Sequence, residues 1–193
     1  MKKTVIWITG LSGAGKTTIA NALYEKCKEQ YRTGLVDSDM LRAQYDVPKG
    51  FDMKSRERMV SEAIYCAKNM LTFQCASLVI VAMISPLRSM RDEARDIITK
   101  YCDATFIEVF VDTPLQICEE RDPRGLYKKA RAGEIKDFTG IDSPYERPVL
   151  PEVHLHYETT LGKMIVERAV EIIYNRFIKH QQYYDKESTT TNK

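Results

Sequence analysis

Gly10-Leu11-Ser12-Gly13-Ala14-Gly15-Lys16-Thr17 fits G-x-x-x-x-G-K-[S/T] without a gap, and Thr18 follows directly. Glycines in this pattern let consecutive backbone N–H groups close around a β-phosphate, and the helix starting there adds the positive end of its dipole. A lysine in the place of Lys16 reaches the β- and γ-phosphates, and a hydroxyl in the place of Thr17 ligates Mg²⁺. The pattern carries this chemistry only between a strand and a helix. Both flanks agree: the apolar run Val5-Ile6-Trp7-Ile8 precedes it, and a helical stretch from Thr18 to Lys26 follows. A chance glycine turn is the competing reading, which the two flanks disfavour. The chain thus reads as a binder of a nucleoside triphosphate, and the question is what receives the phosphate.

Asp37 and Asp39 stand two residues apart after the short apolar segment Leu35-Val36. In extended backbone that spacing turns both carboxylates to one side. Transfer to a hydroxyl needs one carboxylate to orient or deprotonate the acceptor and another to hold Mg²⁺ directly or through water. The alternative use of the pair is a turn or N-cap before a helix starting near Met40. Arg42 lies one helical turn beyond Asp39, Arg56 and Arg58 open the next helix, and Arg88, Arg91 and Arg95 follow the central strand. Clustered guanidinium groups near strand ends suit a phosphate- or sulfate-bearing acceptor, although any single one has a solvated surface charge as its plainer reading.

Ser85-Pro86 closes the segment A-M-I-S-P, where Ala82, Met83 and Ile84 occupy the region in which a switch-type ATPase carries an aspartate. Ser85 has three readings: cap of the next helix, contact to a substrate, or phosphate acceptor. His154 and His156 alternate on a strand and face one side, a metal pair for which the sequence offers no third ligand. Phe51 and Phe138 fall in loop segments, where an exposed aromatic stacks on a base or anchors the loop to the core.

The elements that must position these residues alternate between apolar strands and helical patterns. Strands are expected at Thr4 to Thr9, Leu35-Val36, Ser77 to Met83, Thr105 to Val111 and Val153 to Tyr157. Helices are expected at about Thr17 to Gln30, Lys54 to Phe73, Ser89 to Lys100, after Pro114, and from Lys163 to Gln182. Tyr45 to Asp52 reads as a loop. A β-α-β-α order implies an α/β fold with a parallel sheet, right-handed crossovers and helices on both faces, with ligands beyond the carboxyl ends of the strands. Residues from about 122 to 151 break the alternation, being rich in Pro, Gly and charge. A loop of that length in a compact domain is a functional lid or a disordered insert. One domain over 1–185 and a frayed polar tail over 186–193 complete the expected layout.

Composition excludes several classes. A net charge of +2, with basic and acidic residues interleaved, gives no footprint for nucleic acid. No apolar run approaches a membrane span, and the apolar run behind Met1-Lys2-Lys3 is too short for a signal peptide and enters the glycine loop. Five cysteines, an odd number without metal-ligand spacing, read as reduced thiols in a cytoplasmic protein.

Taken together these pieces resemble the adenylylsulfate (APS) kinase family. G-L-S-G-A-G-K-T-T matches its phosphate loop, Asp37-Ser38-Asp39-Met40-Leu41-Arg42 resembles its D-G-D-x-x-R, and Ile84-Ser85-Pro86 with Arg88, Arg91 and Arg95 resembles its I-S-P-x-R-x-x-R-x-x-A-R. The segment Glu108 to Glu146 is nearly the family's lid sequence, and the likeness spans about residues 4 to 160. The resemblance implies a P-loop NTPase-type three-layer fold with a lid, cofactors ATP and Mg²⁺, a small nucleotide acceptor and a homodimer. It implies transfer of the γ-phosphate to the ribose 3′-hydroxyl of adenylylsulfate. Lys16 and Thr17 would hold phosphates and Mg²⁺, and Asp39 with Asp37 would orient hydroxyl and metal. Arg42, Arg56 and Lys128 would bind the acceptor, Ile84 and Ser85 would line its pocket, and Phe51 and Phe138 would sandwich its base.

The departures gather in the acceptor half. Ser38 replaces the glycine of D-G-D, Phe51-Asp52-Met53-Lys54-Ser55-Arg56 departs from F-S-x-x-D-R, and Met59 stands where an asparagine is expected. One branch of the family phosphorylates cytidine diphosphoramidate for bacterial capsule modification, and these changes suit such an acceptor. An ATP-binding regulator without transfer is the reading from another class.

Overall fold

The structure, a computed structural model, describes residues 2–44, 50–157 and 166–179. Five strands, β1 (Thr4–Thr9), β2 (Thr33–Asp37), β3 (Leu78–Ala82), β4 (Thr105–Asp112) and β5 (Val153–His156), form one sheet in the order β2-β3-β1-β4-β5. Every pairing is parallel. β1 and β3 are buried throughout, as continuous apolar strands covered on both faces must be. The chain passes from β1 outward to β2 on one side and later to β4 on the other, so a switch in direction lies beside the carboxyl end of β1, where the glycine loop leaves the sheet.

Helices α1 (Lys16–Cys27) and α7 (Val166–Ile173) cover one face. Helices α3 (Met53–Thr72) and α4 (Arg88–Cys102) cover the other. Short helices α2 (Ser38–Gln44), α5 (Leu115–Arg121) and α6 (Leu126–Arg131) lie at the carboxyl edge. The three-layer α/β expectation holds, with element ends shifted by a few residues. α7 passes into a π-helical turn at Tyr174–Ile178, and Ile172 is exposed rather than part of the apolar face. The expected ends of this last helix, most of the loop before Asp52 and the polar tail lie outside the described residues. No helix among the described residues is long and apolar enough to cross a membrane.

The lid is folded rather than open. Asp122 caps α6 by accepting hydrogen bonds from the N–H groups of Tyr127 and Lys128. Tyr127 donates its hydroxyl to the Ser12 carbonyl at 3.0 Å, and Phe138, 2 % exposed, packs edge-on against it.

α4 is fastened by a buried ion pair. Arg91 donates to Glu108 Oε1, to the Ser85 carbonyl and to the Glu146 carbonyl, each at 2.7 Å. Arg95 forms a paired contact to Glu152 at 2.8 and 2.9 Å. The expectation that Arg91 and Arg95 read an oxyanion is therefore corrected: their helix face lies on β4 and the lid exit, and internal carboxylates and carbonyls consume their donors. Arg88 is exposed and donates to the Arg147 carbonyl. Burial pushes the Glu108 carboxyl above its ordinary range, with Arg91 opposing. Removing one partner of such a pair costs about 3–5 kcal/mol, because the other charge stays buried. Arg91→Ala should lose that much in urea denaturation, and Arg91→Ala with Glu108→Gln should recover part of it. A double variant no more stable than the single one would show that the buried charge is not the cause.

Candidate active site

The glycine loop runs from β1 into α1 through backbone conformations that side chains resist. Gly10 has φ +149°, and a Cβ there would sit 2.6 Å from the Val111 carbonyl oxygen. Gly15, at φ +106°, precedes α1, whose first turn receives no side-chain cap. The N–H groups at that helix start are thus left for a ligand. Lys16 is folded over its own loop, donating to the Leu11 carbonyl at 2.8 Å. Desolvation lowers its ammonium to about 8, with nearby Arg124 lowering it further and Asp39 opposing.

Two cavities meet at this loop. One, of about 400 Å³, is bounded by Gly13, Gly15, Lys16, Thr17 and Thr18 together with Arg121 and Arg124. Its charged lining is wholly cationic among the described residues, which fits a polyphosphate. The other, of about 270 Å³, is lined by Ser12, Lys16, Thr17, Asp39, Arg42, Phe51, Arg56, Met59, Ile84, Ser85, Arg124 and Phe138 among others. It holds four cationic side chains and one carboxylate, so it suits an anionic guest with an apolar portion. Lys16, Thr17 and Arg124 line both, so a group passed between guests crosses at these three residues.

Most of the residues expected to bind an acceptor therefore converge, though not all in the expected way. Asp39 lines the second cavity and pairs with Arg124 from the lid at 2.8 Å. Asp37 lies outside the cavity lining and accepts from the Met40 N–H at 2.7 Å, the capping use weighed above. Arg56 spends two donors on backbone, the Phe51 carbonyl at 2.6 Å and the Asp137 carbonyl at 2.8 Å, and so ties the loop before α3 to the lid. Arg42 is half-buried and its guanidinium is destabilised by desolvation, then stabilised by Asp39. Lys128 stands exposed on α6 and is not brought to the cavity, because α6 turns Tyr127 inward instead.

The two phenylalanines touch each other, ring centroids 5.5 Å apart. Phe138 is not an exposed loop aromatic; it is anchored in the core while its edge lines the cavity. Met59 is buried and contributes an apolar wall where an amide would have offered hydrogen bonds. Asp52 caps α3, its carboxylate accepting from the Ser55 N–H at 3.0 Å and from the Ser55 hydroxyl at 2.6 Å. Read against F-S-x-x-D-R, the serine and acid have exchanged places, and one helix cap is built from either order.

Ser85 is 1 % exposed and has φ +37°. Its hydroxyl accepts from the Trp7 indole N–H at 3.0 Å. It does not cap α4; the Glu146 carboxylate accepts from the Arg88 N–H at 2.8 Å in that role. Arg121 and Arg124 were not singled out from the sequence. Their places in the cleft follow from how the chain after β4 folds back, and the only sequence signal was their position inside the segment Glu108 to Glu146.

Comparison with known proteins gives a consistent picture. The family model described as adenylylsulphate kinase matches residues 2–156. An adenylyl-sulfate kinase of Rippkaea orientalis is 50 % identical over 149 residues, covering 77 % of this chain and 78 % of that protein. The solved structure of the Mycobacterium tuberculosis APS kinase in complex with AMPPNP and APS aligns with a TM-score of 0.79 at 42 % identity, covering 89 % of this chain and 96 % of that one. A hexameric APS kinase from Thiobacillus denitrificans aligns with a TM-score of 0.65 at 26 % identity, covering 93 % of this chain but 29 % of that one.

The lowered ammonium of Lys16 makes a pH prediction. Its charge is present below about 8 and is lost above. The free protein should therefore bind a triphosphate well below that pH and progressively less well above it, up to about tenfold per pH unit if one group governs. Triphosphate affinity measured across this range by fluorescence titration checks it, and in Lys16→Ala the same inflection should be gone.

Proposed function

The chain belongs to the adenylylsulfate kinase family, and from that premise we propose that it transfers the γ-phosphoryl of ATP to the ribose 3′-hydroxyl of adenylylsulfate, giving ADP and 3′-phosphoadenylylsulfate. The observation that carries this reading is the pair of cavities joined at Lys16, Thr17 and Arg124. The triphosphate lies along the glycine loop, with its γ-phosphate at the junction. The acceptor enters the second cavity, its anionic part toward Arg42 and its base toward Phe51, Phe138 and Met59. The hydroxyl oxygen forms a bond to the γ-phosphorus as the bond to the β-phosphate bridge breaks, and the hydroxyl proton passes to Asp39 or to solvent through it. Lys16 and Arg124 stabilise the charge on the transferring group, which is the main contribution a protein makes to this reaction.

Mg²⁺ fits the donor set at the junction: the Thr17 hydroxyl is exposed there and Asp39 lines the same wall. When bound, it would neutralise phosphate charge. Asp37 lies off the cavity lining with its Oδ1 accepting from the Met40 N–H, so it would act on the ion from outside that wall. Ser85 acts in shaping the wall, since its hydroxyl is engaged by Trp7. Five free cysteines support a reducing, cytoplasmic setting. A homodimer is the assembly we propose for the chain.

A second reading keeps the chemistry and changes the acceptor. Met59 removes a side-chain hydrogen-bonding partner from the base-side wall, and that favours another activated nucleotide, such as cytidine diphosphoramidate in capsule biosynthesis. ADP release with Mg·ATP is the deciding assay, run with adenylylsulfate, with cytidine diphosphoramidate and with no acceptor. Preference for adenylylsulfate supports the first reading, preference for the cytidine compound supports the second, and tight ATP binding without turnover on either would point to a regulator. Lys16→Ala should lower kcat by about two to three orders of magnitude, and Asp39→Asn should lose transfer while retaining ATP affinity. Near-normal turnover in either variant would remove that residue from the mechanism.

A further inference from the structure

We propose that Asp112, His154 and His156 form a binding site for a zinc-type divalent cation, separate from the phosphate-transfer cleft. The site arises from strand register. β5 is the edge strand, and its burial alternates, with Val153 and Leu155 turned into the core and His154 and His156 turned out. Its parallel register sets His154 beside Phe110 and His156 beside Asp112, so all four side chains share one sheet face. Both histidines are exposed on that face.

The three side chains converge. The ligating nitrogen and oxygen atoms lie within 4.8 Å of one another. His154 Nε2 is 2.8 Å from Asp112 Oδ2, and the two imidazole centroids are 3.8 Å apart. Phe110 stacks on His154 at 5.0 Å and limits the ring's freedom. Two imidazole nitrogens and one carboxylate oxygen are the donor set of open zinc sites, with a fourth position left for water. Mg²⁺ and Ca²⁺ prefer oxygen-only shells and are poorly matched. The sequence alone offered the histidine pair without its third member, because Asp112 lies 42 positions from His154 along the chain.

One contact competes. Arg147, at the base of the lid, pairs with the same Asp112 oxygen and covers the Phe110 ring. An incoming cation competes with this guanidinium for the Asp112 carboxylate, so its binding and the Arg147 contact weaken one another. This gives a test that adventitious surface binding would not pass. Calorimetric titration of EDTA-stripped protein with ZnCl₂, without nucleotide or Mg²⁺, should give one site per chain. His154→Ala with His156→Ala should weaken it by about tenfold or more, whereas Arg147→Ala should tighten it by freeing Asp112. Co²⁺ in place of Zn²⁺ should give the visible absorption of a nitrogen- and oxygen-ligated ion in the wild type and lose it in the double variant. Cys75→Ala serves as a control and should leave the affinity unchanged. Binding unaffected by the double histidine change, lost in the control, or weakened by Arg147→Ala would overturn the proposal, as would no binding at all.

Discussion

The guanidinium of Arg91 is the point at which three parts of the molecule are held together. One side chain, 2 % exposed, bonds to a carboxylate on β4, to the carbonyl of the turn after β3 and to the carbonyl at the lid exit. The three partners, Ser85, Glu108 and Glu146, lie far from one another in sequence. The planar fork of arginine allows three directions at once, which an ammonium on a flexible stem would not hold. The consequence reaches the cleft. The Ser85 turn, with its positive φ, is fixed from below by Arg91 and from the side by Trp7, and Ile84 and Ser85 thereby become a rigid wall. The lid exit is fixed as well, and Glu146 then caps α4 in place of a residue from α4's own turn.

The lid makes the cleft from the opposite direction. Tyr127 and Phe138 are buried in it, and Tyr127 bonds to the glycine loop. Arg121 donates to the Gly13 carbonyl, and Arg124 reaches Asp39. The cations of the cleft have partners within the protein: Lys16 donates to the Leu11 carbonyl and Arg124 pairs with Asp39. Each of these contacts is exchangeable for a phosphate oxygen. The exposed Arg124 pair contributes little to stability, as surface ion pairs do, and so resists displacement weakly.

Much of the fold was legible in the residues. Continuous apolar runs gave the buried strands, and β-α alternation gave a parallel sheet with its ligand edge. The phosphate loop was legible because its chemistry is local: eight consecutive residues build it. The arginines of α4 were misread because sequence shows charge and spacing but not the partner, and Glu108 sits on a strand whose other residues are apolar. For Phe138 the sequence left stacking on a base and anchoring the loop as alternatives, and the structure shows the anchor: its burial rests on Tyr127 in α6 and Phe51 before α3, which meet only after the lid folds. Ser85 was weighed as a cap from its place before a helix, but the cap comes from Glu146, 61 residues later by number.

The wall of the second cavity separates a motif departure that keeps its structural role from one that changes the chemistry of the wall. Asp52 and Ser55 reverse the order of a serine and an acid, yet the helix they start is capped by two hydrogen bonds. A cap requires one side-chain oxygen to meet an N–H one turn ahead, and either residue type supplies it. The cap starts α3 just before Arg56, which braces the neighbouring loop. Met59 is different in kind. It sits one turn further along the same helix, buried in the cavity wall, and replaces hydrogen-bonding capacity with a flexible apolar surface. A polar site rejects a guest lacking its partner atoms far more strongly than an apolar site rejects a polar guest. Among the changed residues of the α3 segment, Met59 therefore alters the chemistry of the cavity wall, whereas Asp52 and Ser55 serve the start of the helix that carries it.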